Sequence, residues 1–166
     1  MIKITTMYKG CWISKFHDVD VSYNENVWSL VAEAEDADEL MLGLLDKKDG
    51  SSFLINLEQV DEPNELSNED IEGALFADLF NKDNDLVVNQ KFEDELAGIQ
   101  FNFIDYSFNN KIFGKQKLLH AYSKFPNHVA LFVFSWPDGM PLHDDSFFPV
   151  KHLAFIEGLK LDNNYL

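Results

Sequence analysis

An α+β fold, a twisted antiparallel sheet of about six strands with helices packed on it, is the class this sequence predicts. Three observations lead there. Apolar residues recur with period two in several runs, an Asp-Gly turn signal separates two of those runs, and a helical apolar stripe stands between that hairpin and a longer group of strands. With 166 residues, no internal repeat and no low-complexity linker, the chain reads as a single domain spanning 1–166.

The first 30 residues alternate weakly: Trp12, Ser14 and Phe16, then Val19 and Val21, suit short strands. Residues 41–46 and 52–60 flank Lys47-Lys48-Asp49-Gly50, a strong hairpin signal. In the second run Phe53, Ile55 and Leu57 fall on one face and Leu54, Asn56 and Glu58 on the other, so one face is expected to be buried. Pro63 and Asn64 break the pattern. Ser67 then stands three residues before Asp70, a variant of the capping box. Ile71, Leu75 and Leu79, with Ala74, Phe76 and Phe80 widening the stripe, predict a helix over 67–81. Glu69, Asp70 and Glu72 lie early in it, where the helix dipole favours negative charge.

From Leu86 to Trp136 the texture is that of a four-stranded meander. Leu86-Val87-Val88 opens a strand. Ile99, Phe101 and Phe103 alternate with Gln100, Asn102 and Ile104, and Tyr106 and Phe108 are read as extending the same face. Asn109-Asn110 marks a turn, because Asn tolerates positive φ. Residues 117–122 form the next strand, 125–128 turn, and 129–136 are apolar on both faces, as in a central strand covered on both sides. Pro137-Asp138-Gly139 ends it. Asp144, Asp145 and Ser146 are expected to cap a last helix, with Pro149 in its first turn and Phe148, His152, Phe155 and Ile156 on one stripe.

All thirteen basic residues are lysines, against 29 Asp plus Glu, for a formal net charge of −16. Arginine supplies the planar fork that grips phosphate at two points. A chain without it, and this acidic, is poorly suited to nucleic acid, nucleotide phosphates or an anionic membrane. Its field attracts basic surfaces. Hydrophobic residues at 46%, with fifteen Phe, set it apart from a disordered acidic tail. The single Cys11 leaves no internal disulfide and argues against a cysteine-based zinc site. The segment from Met1 to Thr6 lacks an apolar signal-peptide core, Met1 speaks against a removed leader, and no run approaches the roughly 18 apolar residues of a membrane span. A cytoplasmic protein is therefore expected.

No Gly-x-Ser-x-Gly elbow and no phosphate loop occur, Cys11 has no basic cluster beside it, and no cofactor is expected. His17 stands near Asp18 and Asp20, and His143 adjoins Asp144 and Asp145. Imidazole plus carboxylate suits divalent ions, but no His-x-x-x-His pair is present and adjacent residues rarely chelate one ion together. No catalytic or metal site is assigned. A small metal-dependent hydrolase is the alternative reading, and it requires the two groups to meet in one pocket. His120 and His152 read as core-edge residues, and Trp12, Trp28 and Trp136 as core. The partner-binding candidate is Glu33, Glu35, Asp36, Asp38 and Glu39, five carboxylates within seven residues, beside Trp28, Leu30 and Val31. A solvated loop or strand edge accounts for such a run; so does a docking face for a lysine- or arginine-rich partner.

The element order resembles that of the PsbP/DcrB-like group, whose fold is shared with the Mog-type Ran-release factors. The likeness rests on Phe16-His17-Asp18-Val19-Asp20-Val21-Ser22, the acidic hairpin, the mid-chain helix, the meander, and a closing segment Phe155-Ile156-Glu157-Gly158-Leu159-Lys160-Leu161. It implies a protein-binding module and not an enzyme. In bacteria the group includes chaperones and immunity proteins linked to type VI secretion. The resemblance therefore implies an immunity protein or effector chaperone whose partner is a basic or apolar protein, such as a secreted effector or toxin. It carries no functional residue across, and it leaves the oligomeric state open.

Overall fold

The computed structural model describes residues 10–13, 17, 19–80, 86–156 and 160–161. Ten strands and two α-helices occur among them. Strands β3 (Ser29–Glu35), β4 (Glu39–Leu45), β5 (Ser52–Gln59), β6 (Val87–Leu96), β7 (Ile99–Asn110), β8 (Gly114–Lys124) and β9 (His128–Pro137) form one seven-stranded antiparallel sheet in the order β3-β4-β5-β9-β8-β7-β6. Strands β1 (Gly10–Ile13), β2 (Val19–Tyr23) and β10 (Lys160–Leu161) form a second, three-stranded sheet with β2 in the middle. The architecture is thus more sheet-dominated than the sequence suggests, and its helices are few.

Local chemistry accounts for the main sheet. In β5, Phe53, Ile55 and Leu57 are fully buried while Leu54 and Asn56 are half-buried, as period two requires. The β4–β5 turn closes with Gly50 N–H donating to the Asp46 carbonyl at 2.9 Å, and Gly50 sits at φ 78°. The β6–β9 meander follows the expected order, and β9 occupies the centre of the sheet. Two faces result. One carries Leu40, Leu42, Phe53, Phe101, Phe132 and Phe134, and on it lie β2 and helix α2 (Val150–Ile156). The other carries Ile104, Tyr106, Leu118 and Tyr122, and helix α1 (Asn68–Phe80) packs there through Ile71.

The capping box forms as the sequence predicts: Asp70 N–H donates to Ser67 Oγ at 3.1 Å and Ser67 N–H donates to Asp70 at 3.0 Å. Glu72 does more than complement the dipole. It pairs with Lys91 at 3.1 Å and accepts the Tyr122 hydroxyl at 3.1 Å, which ties α1 to the sheet. Leu79, Phe76 and Phe80 carry side chains outside the described residues, as do Cys11, Trp12, Phe155 and Ile156.

Three expectations are corrected. Tyr106 and Phe108 lie opposite Phe101 and Phe103, because β7 pairs with β8 in unbroken register and parity alone assigns the faces. Asn109 and Asn110 are still strand. Asn110 closes the turn with its side chain, accepting from Ile112 and Phe113 N–H, and Gly114 takes the positive φ. Asp144, Asp145 and Ser146 do not cap a helix. They form a turn closed by His143 N–H to the Phe148 carbonyl at 2.9 Å, and α2 begins past Pro149, which bridges Leu142.

Helix α2 is pinned by polar contacts. Lys151 bonds Asp46 at 2.9 Å and Asp49 at 2.5 Å in the β4–β5 turn. His152 is fully buried between Trp28 and Trp136, its Nε2 donating to the Ser135 carbonyl at 3.0 Å. His120 is likewise buried, so neither ring is a core-edge residue.

Candidate functional site

The five acidic candidates do not share one orientation. Glu33 pairs with Leu42 and Glu35 with Leu40, so both start on the core face of edge strand β3. Glu35 is half-buried there, whereas Glu33 reaches solvent. Asp36 and Asp38 stand in the β3–β4 turn. The Asp36 carboxylate accepts N–H from Asp38 and Glu39, both at 2.8 Å, and these two bonds hold it below the usual carboxylate range. Glu39 lies directly opposite Glu58 on β5, and both are exposed. Like charges placed opposite each other on a sheet are destabilising.

Antiparallel topology gathers more charge at this end. The β5 terminus leads into exposed Asp61, Glu62 and Glu65, and the β6–β7 turn brings Glu93, Asp94 and Glu95 to the same end. Lys124 is placed here, its Nζ donating to the Leu66 carbonyl, while Lys91 pairs with Glu72 along β6 and Lys160 stands opposite Asp20 on β2. Lys47, Lys48, Lys111, Lys115, Lys117 and Lys151 belong to the opposite end, where the β4–β5 and β7–β8 turns meet at Gly50 and Phe113. Among the described residues, charge is polarised along the strands.

A histidine pair adjoins the acidic turn. His17 Nε2 donates to the Asp36 carbonyl at 3.1 Å, and its ring meets His128 edge-on at 5.5 Å. Burial and His17 depress the pKa of His128, with Asp38 opposing them. His143 is elsewhere: its backbone joins Phe148, whose ring packs on Phe134, six residues along β9 from His128. At about 3.3 Å per strand residue the two histidine groups are roughly 20 Å apart. They do not converge, and among the described residues no three His, Cys, Asp or Glu are grouped to hold a metal; Asp18 lies outside those residues.

Sequence reading missed a cavity of about 240 Å³ at the lysine-bearing end, between β6–β9 and the segment 138–147. Phe92, Leu119, Trp136, Met140 and Phe147 form its apolar walls. Lys117 pairs with Asp105 at 2.8 Å inside it. A bulge in β6 between Val88 and Gln90 turns Asn89 and Gln90 towards that same carboxylate, each with an amide nitrogen at 3.4 Å. Phe147 closes over Phe92 with ring centroids 4.4 Å apart.

The sandwich of a seven-stranded sheet with a small sheet on one face and a helix on the other has a counterpart among solved structures. The chain is similar to the solution structure of cyanobacterial PsbP (CyanoP) from Synechocystis sp. PCC 6803, with a TM-score of 0.62 over 94% of this chain and 94% of that chain. The fold is PsbP-like. Sequence identity across that match is 12%, so the likeness concerns the fold and assigns no residue a role. No family model matches the chain, and no curated protein matches its sequence.

Within the PsbP-like sheet, one signal in the sequence pointed to the cavity. Asp105 and Lys117 stand where the apolar faces of β7 and β8 give way to polar residues. What made them neighbours was the meander register, in which Asp105 faces Leu119 and Ser107 faces Lys117. No helix of the described residues is long and apolar enough to cross a membrane.

Proposed function

We propose that this chain is a non-enzymatic, cytoplasmic protein-binding module that docks a basic partner through its acidic end. The reading we favour is a bacterial immunity protein, of the kind linked to type VI secretion, that covers a basic surface of a toxin with carboxylates. The observation that carries it is charge polarisation: Glu33, Asp36, Asp38, Glu39 and Glu58 crowd one end while most described lysines stand at the other. Keeping Glu39 opposite Glu58 works against the sheet, and a basic partner relieves it. The effector-chaperone variant has less support. It needs an exposed Phe groove, and Phe101, Phe103, Phe132 and Phe134 are all buried.

The test uses the product of the neighbouring gene as partner and stopped-flow association as readout. The association rate constant should fall steeply between about 20 and 200 mM salt, with dissociation changing less. Replacing Glu33, Asp38 and Glu39 with Gln, Asn and Gln should slow association about tenfold at low salt and leave the fold intact, since exposed charges contribute little stability. Glu35 and Asp36 are left in place because one is half-buried and the other closes the turn. A variant that associates as fast as the parent at low salt overturns the assignment of this end.

A further inference from the structure

We propose that the cavity at the lysine-bearing end binds a small uncharged aromatic molecule carrying a hydroxyl or amide head. This is independent of the acidic docking end, from which it is separated by the length of β9. Its volume, about 240 Å³, lies below the roughly 300–1,000 Å³ of pockets for drug-sized ligands and suits a single ring. Its walls are aromatic and aliphatic, and two of its rim residues, Leu142 and Phe147, are 49% and 42% exposed. Large apolar groups left in water around a cavity mouth mark a site that something apolar covers.

Charge balance decides the head group. Asp105 is neutralised by Lys117 at 2.8 Å and Asp138 by Lys115 at 3.3 Å. A charged ligand would enter without a counter-charge and lose its hydration. A neutral head meets both halves of a polar pair, because the Asp105 carboxylate accepts and the Lys117 ammonium donates. The β6 bulge supplies positioning. It places two consecutive side chains, Asn89 and Gln90, towards Asp105, and bulges of this kind re-aim side chains beside functional sites. Phe92, stacked on Phe103 at 5.1 Å, and Phe147, tilted over it at 4.4 Å, together give the cavity an aromatic wall.

The experiment is a backbone-amide NMR titration of the full chain with four probes of one shape: p-cresol, 4-methylanisole, 4-methylbenzoate and 4-methylbenzylamine. We expect p-cresol to shift the amides of Phe92, Leu119, Trp136 and Phe147 saturably. It should bind about tenfold more tightly than 4-methylanisole, which lacks the donor, and more tightly than either charged probe. The double variant Asp105→Leu, Lys117→Met should weaken p-cresol to the level of 4-methylanisole without weakening the latter. Absence of saturable shifts, equal or tighter binding of a charged probe, or a preference that persists in the double variant overturns the proposal. Should the double variant fail to fold, Phe147→Ala on the exposed rim should weaken p-cresol several-fold, and unchanged affinity there is equally decisive against it.

Discussion

His120 lies on β8 between Ile104 and Val133, edge-on to Tyr106 at 5.0 Å, with a buried Nδ1 that has no hydrogen-bond partner among the described residues. Burial pushes its pKa down to about 4, and burial likewise brings His152 to about 4. In the unfolded chain both imidazoles take up a proton near the ordinary value of about 6.5. The unfolded state therefore binds more protons as pH falls from 6.5 towards 4, and stability is lost across that window. Replacing His120 by Phe, which has a similar shape and no ring nitrogen, should remove on the order of 1–2 kcal/mol of the loss between pH 7 and pH 5. Urea midpoints of parent and variant at the two pH values measure it; equal losses would remove His120 from the account. The comparison cancels the background effect of the carboxylates, which titrate alike in both proteins. The sequence reads His120 and His152 as core-edge residues, whereas both are buried, which depended on elements packed from both sides of the sheet.

Elements differ in how openly the sequence declares them. The β4–β5 hairpin was legible because Asp49-Gly50 and the alternation in β5 are both local. Gly50 also illustrates what was hidden. A Cβ at that position would lie 2.4 Å from the Phe113 ring, which belongs to the β7–β8 turn, and its φ of 78° disfavours any side chain. Gly50→Ala should cost about 1–3 kcal/mol in a denaturant melt, through steric contact as well as backbone strain. A loss under a few tenths would mean that the two turns are not in contact. Strand β3 was the least legible strand. It is an edge strand, a bulge between Leu30 and Ala32 breaks its alternation, and its burial follows no simple period. Residues 33–39 read as a solvated loop or strand edge, and both occur: 33–35 end β3, and a turn closed by Asp36 follows before β4 begins at Glu39. Strand β7 misled for another reason: its apolar set changes face part-way, from Phe101 and Phe103 to Ile104, Tyr106 and Phe108, and only counting by two places Tyr106.

At the scale of the whole molecule, charge is the governing property. With a net charge of −16, much of it at the end formed by the β3–β4 and β6–β7 turns, copies of this chain repel when those ends approach. Light scattering should report a monomer at low salt, where the Debye length reaches about 30 Å, with any weak association appearing as salt is added. A tight dimer at all salt concentrations would point instead to an apolar interface. The partly exposed Met41, Val87 and Val88 would be its first suspects.

The sequence alone determined the class of fold, the hairpin, the capped mid-chain helix and the four-stranded meander. Each of these is written in neighbouring residues, through side-chain period, turn chemistry and caps acting over a few positions. It also determined the absence of arginine and with it the poor fit to phosphate-rich ligands. The tertiary structure decided which carboxylates stand together, since Glu39 meets Glu58 and the β6–β7 turn joins them at one end only through strand order. It also decided that Asp105 meets Lys117 beneath Phe147 and that His17 and His143 remain apart. Antiparallel pairing brings together residues dozens of positions distant in the chain, and no local pattern encodes which turns will share an end of the sheet.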